Sequence, residues 1–401
     1  MTLTLLLDLD DTLLINGNET FLPAYFGGIA RALSEFASPQ EILSQFVGDP
    51  IGILSNTSPK QTIQELFRGK FYPNLGHSYE KLEPFLERYI DERHPDFESL
   101  VQRVPDASRL VEEAFSRGYR IGIATNPLYP RKATLQRLEW AGLPARQYPF
   151  ELVSAYEDFH FTKPNPAYYA EVLTHMGWPE GPILMVGNDL DADIFGAKQL
   201  GLTAYWISDS QQKQLPPDAA AVPNGMGCLA DVIPWIDKIS PSSLIPRFDT
   251  RIAIAAVLRA TPAALSIMTR DLKNNDWTYR PQPEDWSLTE ILCHLRDIDR
   301  EINLPRIEIL CTGENSFIPA VDSDQWIHDR NYQLQSGPEA LVEFVDSRII
   351  LLDRIEALND EDWSQKCRHS ILGPTTLQEL LNISAQHDRK HIREIFQILK
   401  Y

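Results

Sequence analysis

The stretch Leu3-Thr-Leu-Leu-Leu-Asp8-Leu-Asp10-Asp11-Thr12-Leu13 decides how this chain is read. Its short apolar run predicts a buried strand. The run ends abruptly on three carboxylates, where a strand would leave a sheet and a loop begin. In an open parallel sheet, chemistry gathers at that carboxyl edge. Two aspartates two residues apart can share one divalent cation, and one can attack while the other moves a proton. A solvated acidic turn is the alternative reading of this segment taken alone.

Four more apolar runs follow: Leu3–Leu7 is joined by Ile121–Ala124, Phe150–Ser154, Ile183–Val186 and Thr203–Ile207. Alternation of such runs with amphipathic stretches predicts a parallel sheet with helices on both faces. Between the first two runs, Tyr25 to Phe46, Pro59 to Phe71, Tyr79 to Arg93 and Ala107 to Arg117 carry helical patterning. An inserted helical lid over the sheet edge is expected there. Isolated His77 and His94 fall in it and, as isolated histidines, read more readily as surface residues than as ligands.

Three of these later strand ends could serve phosphoryl transfer. Thr125 and Asn126 close one with a hydroxyl and an amide suited to phosphate oxygens. Lys163, in Phe161-Thr-Lys-Pro-Asn-Pro166, could neutralise charge on a nucleophile and a phosphoryl group. Gly187-Asn188-Asp189-Leu-Asp191-Ala-Asp193 supplies an acidic loop fit to complete an octahedral Mg²⁺ site.

In the order and spacing of these elements the chain resembles the haloacid dehalogenase-like hydrolases over roughly residues 1–237, down to the helix Ile194-Phe-Gly196-Ala197-Lys-Gln-Leu-Gly201 after the acidic motif. The resemblance implies an α/β Rossmann-like core, residues 1–15 and 115–237, and a helical cap, about 16–114. It implies Asp8 as nucleophile through an aspartyl-phosphate, Asp10 as acid and base, and Thr125, Asn126 and Lys163 around the phosphate. The dehalogenating branch lacks an acid at the position of Asp10, so a phosphatase of small phosphorylated metabolites is implied. Many members read Gly-Asp where this chain reads Gly187-Asn188. The Mg²⁺ would rest on Asp8, Asp10, Asp189 and Asp193, with Asp189 favoured over the Asn188 carbonyl oxygen and Asp193 orienting water or Lys163.

Residues 238–248, with Ile239-Ser-Pro-Ser-Ser-Leu-Ile-Pro-Arg247, read as a linker. Beyond it, helical patterns near 249–275, 288–312, 338–358 and 376–400, with no convincing strand, predict a separate all-α four-helix bundle over 249–401. Ser287 with Glu290, and Thr376 with Glu379, form capping boxes; Trp286 and Ile291 are placed as a staple. His387 and His391 share the face Leu380, Ile383, His387, His391, Ile395 and Ile398. His294 falls in line with Ile291 and Ile298. Three inward imidazoles predict an open metal site, against the alternative of histidines satisfied by hydrogen bonds. This region resembles the DinB-like metal-binding bundles in Asp285-Trp286-Ser287 through His294 and Gly373 through His391. That resemblance implies a divalent transition metal, zinc or nickel, on His294, His387 and His391, and a homodimer through the bundle. It does not select an activity, and two alternatives to the phosphatase reading stay open. In one, the principal activity lies in the bundle, as a metal-dependent thiol transferase or hydrolase with the first domain auxiliary. In the other, the chain is a non-catalytic binding protein. His328 and His369 stay unassigned.

The chain has 401 residues, which suits two or three domains, with 43% apolar and 23% charged residues and a net charge of −19. That charge argues against nucleic acid as a partner. No apolar stretch reads as the roughly 18 residues of a membrane span, and the first run lacks a basic leader and cleavage site. Four cysteines without a CxxC pair suit a reducing compartment. A cytoplasmic enzyme is expected.

Overall fold

The computed structural model describes residues 2–49, 51–208, 215–217, 219–312 and 316–400. The chain divides into two compact units. The first comprises Met1–Thr57, Gln61–Val172 and Glu180–Pro246; the second comprises Ser58–Lys60, Leu173–Pro179 and Arg247–Tyr401.

The first unit is built on a six-stranded parallel sheet. Its strands are β1 (Thr4–Leu7), β2 (Arg120–Ile123), β3 (Leu152–Val153), β4 (Ile183–Gly187), β5 (Thr203–Ile207) and β6 (Gly225–Gly227), in the order β3-β2-β1-β4-β5-β6. Central β1 pairs Leu5 with Ile121 on one side and Leu184 on the other. Every residue of β1 and β4 is buried, as expected for strands covered on both faces. The strand order reverses on either side of β1, so Asp8 leaves the sheet at a topological switch point. The sixth strand escapes sequence reading because Gly-Met-Gly has neither length nor β-branched residues.

A two-stranded antiparallel flap, Leu14–Ile15 against Gln102–Arg103, joins the core to the inserted helices. Those are Asn18–Ala32, Pro39–Ser44, Ile63–Asn74 and Tyr79–Glu92. Capping boxes at Ser38/Glu41 and Thr62/Glu65 start two of them. The expected fourth lid helix forms as Pro105–Ser116 but packs on β2, with Ala107, Leu110, Val111 and Ala114 buried. His94, expected at the surface, has 0% exposure, and its ring stacks 4.8 Å from Trp140. An apolar cap interior outweighs the usual exposure of an isolated histidine. The expected linker is partly folded: Pro241–Leu244 makes a 3₁₀ turn, Leu244 is buried, and Thr203 Oγ1 donates to the Ser243 carbonyl at 2.9 Å.

The second unit is a four-helix bundle with helices α1 (Arg251–Met268), α2 (Leu288–Ile298), α3 (Gly337–Glu356) and α4 (Leu377–Ile398). Helix α2 runs on through a π-helical turn, Asp299–Asn303, into Leu304–Thr312. Helices α1 and α2 each pack against both α3 and α4. Both predicted capping boxes are formed. Helix α1 is long and apolar enough to cross a membrane by length and composition, contrary to the expectation that no stretch is, and 67% of it is buried in the protein.

One further expectation fails. The bundle carries a three-stranded sheet, with β7 (Ser316–Ile318), β8 (Lys366–His369) and β9 (Gly373–Thr376), β8 pairing parallel to β7 and antiparallel to β9. Strands this short show no alternation long enough to read.

Candidate active site and candidate metal centre

Beyond Leu7 the chain folds sharply because Asp11 adopts a left-handed φ of 52°. Its carboxylate accepts from the Asn16 backbone N–H at 2.9 Å. The third acid of the opening motif is therefore a turn-maker, and Asp8 and Asp10 are left for chemistry.

Asp8 is gripped on both oxygens. Lys163 Nζ lies 2.7 Å from Oδ1, and Thr12 Oγ1 lies 3.0 Å from Oδ2. The same ammonium lies 2.6 Å from Asp193 Oδ1, and all three groups are buried. Burial alone would lower the Lys163 pKa, but the Asp193 and Asp8 carboxylates hold it well above its ordinary value. Burial and repulsion from Asp8 push the Asp193 carboxyl up to about 7, against the pull of Lys163. Two glycines permit this packing. A Cβ on Gly187 would meet Asp193 Oδ2 at 2.2 Å, and one on Gly196 would meet the Pro164 carbonyl at 2.4 Å.

Asp10 contacts the side chains of Asn16 and Arg137, and Thr125 Oγ1 lies 3.4 Å from its other oxygen. The Thr125 carbonyl is held by Ser154 Oγ at 2.6 Å and Tyr168 Oη at 2.7 Å. Asn126 Oδ1 accepts the Lys163 backbone N–H at 3.2 Å, tying two strand-end loops together.

The acidic loop separates its two adjacent residues. Asn188 Oδ1 lies 3.1 Å from Thr12 Oγ1, beside Asp8. Exposed Asp189 instead turns one oxygen back to cap the π-helical turn Leu190–Phe195, accepting from Asp191 and Ala192 N–H at 2.8 Å each. Asp193 Oδ2 accepts the Asp189 N–H at 3.0 Å, so both Asp193 oxygens are engaged. This bonding departs from the sequence preference for Asp189 as the metal ligand. The Thr12 hydroxyl has one proton for two acceptors, Asp8 Oδ2 and Asn188 Oδ1. Oxygen acceptors gathered around one hydroxyl in this way suit a hard cation with oxygen ligands.

In the bundle, α2 delivers His294 and α4 delivers His387 and His391 to one point. His387 Nε2 lies 3.1 Å from Nε2 of both partners. The ligating atoms of the three lie within 4.8 Å of one another. Burial, then the neighbouring His391 and other charges, push His294 down to about 3 and His387 down to about 2, so both present unprotonated nitrogens. His391 Nδ1 lies 2.7 Å from Glu394 Oε2, which fixes the ring with Nε2 as the lone-pair donor. Three Nε2 atoms aimed at one another fit a tetrahedral metal with an open position. Along α4, Leu380, His391, Ile395 and Ile398 are buried as expected, whereas Ile383 is 40% exposed. His328 is exposed, and His369 accepts the Ile371 and Leu372 backbone N–H groups in a turn.

A family model, haloacid dehalogenase-like hydrolase, matches residues 5–207, just over half of the chain. The chain belongs to the haloacid dehalogenase-like hydrolases. A second model, the DinB superfamily, matches residues 258–395. The haloacid dehalogenase-like unit is thus fused to a DinB-like one. Over 110 residues the chain is 27% identical to a glyceraldehyde 3-phosphate phosphatase of Methanothermobacter thermautotrophicus, covering 27% of this chain and 46% of that protein. Over 116 residues it is 32% identical to a ribulose-1,5-bisphosphate 5-phosphatase of Halopiger xanaduensis, covering 29% and 46%. The chain thus spans under half the length of these curated relatives. Similar solved structures include a phosphatase of this family from Thermococcus onnurineus, at 24% identity, 59% and 98% coverage and a TM-score of 0.38. YfiT from Bacillus subtilis, described as a probable metal-dependent hydrolase with an unusual four-helix bundle topology, aligns at 17% identity, 38% and 88% coverage and a TM-score of 0.35.

The site of the haloacid dehalogenase-like unit also contains residues that sequence reading misses. Arg137 is fully buried, lies 4.4 Å over the Tyr129 ring and contacts Asp10; burial pushes its guanidinium down to about 10. It sits in a helix, Arg131–Trp140, of unremarkable polar composition, so nothing local flags it. Asn16, Ser154 and Tyr168 act on Asp10 and Thr125 through contacts that only the folded chain makes.

Proposed function

We propose that the haloacid dehalogenase-like unit hydrolyses small phosphomonoesters through Asp8. The observation that carries this reading is the Lys163 ammonium bridging Asp8 and Asp193 with Thr12 and Asn188 alongside. It is a preorganised charge arrangement at a strand end, as a phosphoryl-transfer site requires. An Asp8 oxygen attacks phosphorus in line and the bond to the ester oxygen breaks. Asp10 gives that oxygen a proton, then takes one from the water that cleaves the aspartyl-phosphate, releasing phosphate and restoring both acids. Thr125, Asn126 and Lys163 supply donors and charge to the phosphoryl oxygens.

The oxygen donors Asp8, Asp10 and Asn188 fit Mg²⁺, which would neutralise phosphate charge there. Asp193 serves this reading as the residue that positions Lys163. The supporting relatives are named as phosphatases of small phosphorylated compounds. Phosphate release by the wild-type chain and its loss in Asp8→Asn, on the order of a thousandfold or more, tests the reading. Equal rates would refute it.

For the DinB-like unit we propose one bound transition-metal ion, zinc or nickel, on His294, His387 and His391. The three converging Nε2 atoms support it. We further propose the functional division as 1–237, 238–248 and 249–401.

A further inference from the structure

Within the haloacid dehalogenase-like unit lies a cavity of about 540 Å³, walled by cap residues between Tyr25 and Asp91 and by the core residues Leu128, Pro130, Lys132, Tyr156 and Glu157. Its size falls in the range of small-molecule sites. Two links tie it to the reacting groups. Leu128 sits on the loop that leaves Thr125, its N–H donating to the Asn126 carbonyl at 2.8 Å. The carbonyl of Leu54, another wall residue, lies 3.5 Å from Thr162 Oγ1, next to Lys163. Two wall residues therefore adjoin the loops proposed to hold the phosphoryl group.

The walls offer hydrocarbon and aromatic faces. Phe26 and Phe46 stack at 4.6 Å and 27°, and Phe67 adds a third ring beside Ile51 and Ile53. Among the described residues, the two cations in the wall, Arg68 and Lys132, are already paired. Arg68 grips Glu83 through Nε at 3.1 and 3.0 Å and through Nη2 at 2.6 Å, and Lys132 pairs with Asp91. Asp49, Glu87 and Glu157 leave the wall with excess negative charge. A second phosphate or a carboxylate on the substrate would meet that charge with both cations engaged. A polyol would exchange water for hydrocarbon at a cost.

We propose that this cavity receives the alcohol portion of the substrate, and that the preferred substrates are phosphomonoesters of uncharged, largely apolar or aromatic alcohols. The inference rests on the phosphatase reading above. The relatives' names point elsewhere, to a sugar bisphosphate and a triose phosphate, so this pocket would set the chain apart in what it accepts.

The test compares kcat/KM of the full chain with Mg²⁺ on hexyl phosphate and 2-phenylethyl phosphate against glycerol 1-phosphate and 3-phosphoglycerate, with acetyl phosphate as a minimal substrate. The apolar esters should lead by at least about tenfold. Phe67→Ala should shrink that lead by about tenfold. Leu54→Ser, at a rim position 55% exposed and so tolerant of change, should shrink it too and carries the same test if Phe67→Ala does not fold. The proposal is overturned if acetyl phosphate is cleaved in an Asp8-dependent way while the apolar esters show no lead, or if the lead survives both substitutions. If no substrate, acetyl phosphate included, is cleaved in an Asp8-dependent way, the phosphatase reading itself fails and takes this inference with it.

Discussion

Lys163 Nζ lies 2.6 Å from Asp193 Oδ1 although 30 residues separate the two, and both are buried. Asp193 can approach because Gly187, at the end of β4, has no side chain where the Asp193 carboxylate sits. Gly187→Ala should therefore displace Asp193 and loosen Lys163 while leaving both residues unchanged in sequence. We expect kcat to fall on the order of a hundredfold, since a small misplacement of a charged group weighs heavily in the transition state. Steady-state kinetics beside a melting curve checks this; unchanged kcat in a folded variant would show that Asp193 does not position Lys163.

Asn188 and Asp189 should separate in a Mg²⁺ titration. Asn188 Oδ1 stands beside Asp8 and Thr12, whereas Asp189 caps the π-helical turn. Asn188→Ala should raise the Mg²⁺ concentration needed for activity. Asp189→Ala should mainly lower stability, by about 1 kcal/mol as for a lost cap. The reverse ranking would return the metal to Asp189.

The bundle should take up about one zinc or nickel ion per chain, read by elemental analysis after dialysis. Saturating metal at a hundred times Kd should stabilise the unit by about 2.7 kcal/mol. His387→Ala should abolish stoichiometric binding because it removes the central Nε2, while exposed His328→Ala should leave it intact. Absence of uptake in the wild type would make the trio a packing cluster.

Beneath the histidines, Arg348 is an independent test of the bundle's interior. It holds Asp299 Oδ2 at 2.6 Å and Asp388 Oδ2 at 2.5 Å, and all three are buried. Arg348→Met would strand two carboxylates, so a loss of about 3–5 kcal/mol in urea unfolding is expected. A loss under about 1 kcal/mol would mean that the carboxylates find other partners.

His94 should give the haloacid dehalogenase-like unit an acid sensitivity. Burial pushes its imidazole from 6.5 down to about 4, with Gln136 opposing. The unfolded chain then binds the proton more readily than the folded one below about pH 6.5. Stability is therefore full above that pH and declines as pH falls towards 4, by about 2 kcal/mol at about pH 5. His94→Phe should flatten that slope in urea titrations at pH 7 and 5. An unchanged slope would assign acid sensitivity to other groups.

The sequence by itself determined the elements whose signals are local. Leu3–Leu7 and Ile183–Val186 read as buried strands because both faces must be apolar, and strand ends announce themselves where Asp8 and Asn188 interrupt the run. Ser287 with Glu290 and Thr376 with Glu379 mark helix starts because a cap is a contact within four residues. The His387/His391 spacing likewise fixes a shared helix face. Only the tertiary structure decided what depends on partners distant along the chain. The sequence favours the Asp189 carboxylate over Asn188, yet a turn of backbone sends Asn188 towards Thr12 and Asp189 into a cap. Arg137 and His94 look like surface residues until the cap and core close over them. The short strands β6 to β9 exist because neighbours complete their ladders, not because their residues favour extension. Long-range hydrogen bonds and the burial of single polar side chains leave no periodic trace in sequence, and these are the interactions that fix the roles of Asn188, Arg137 and His94.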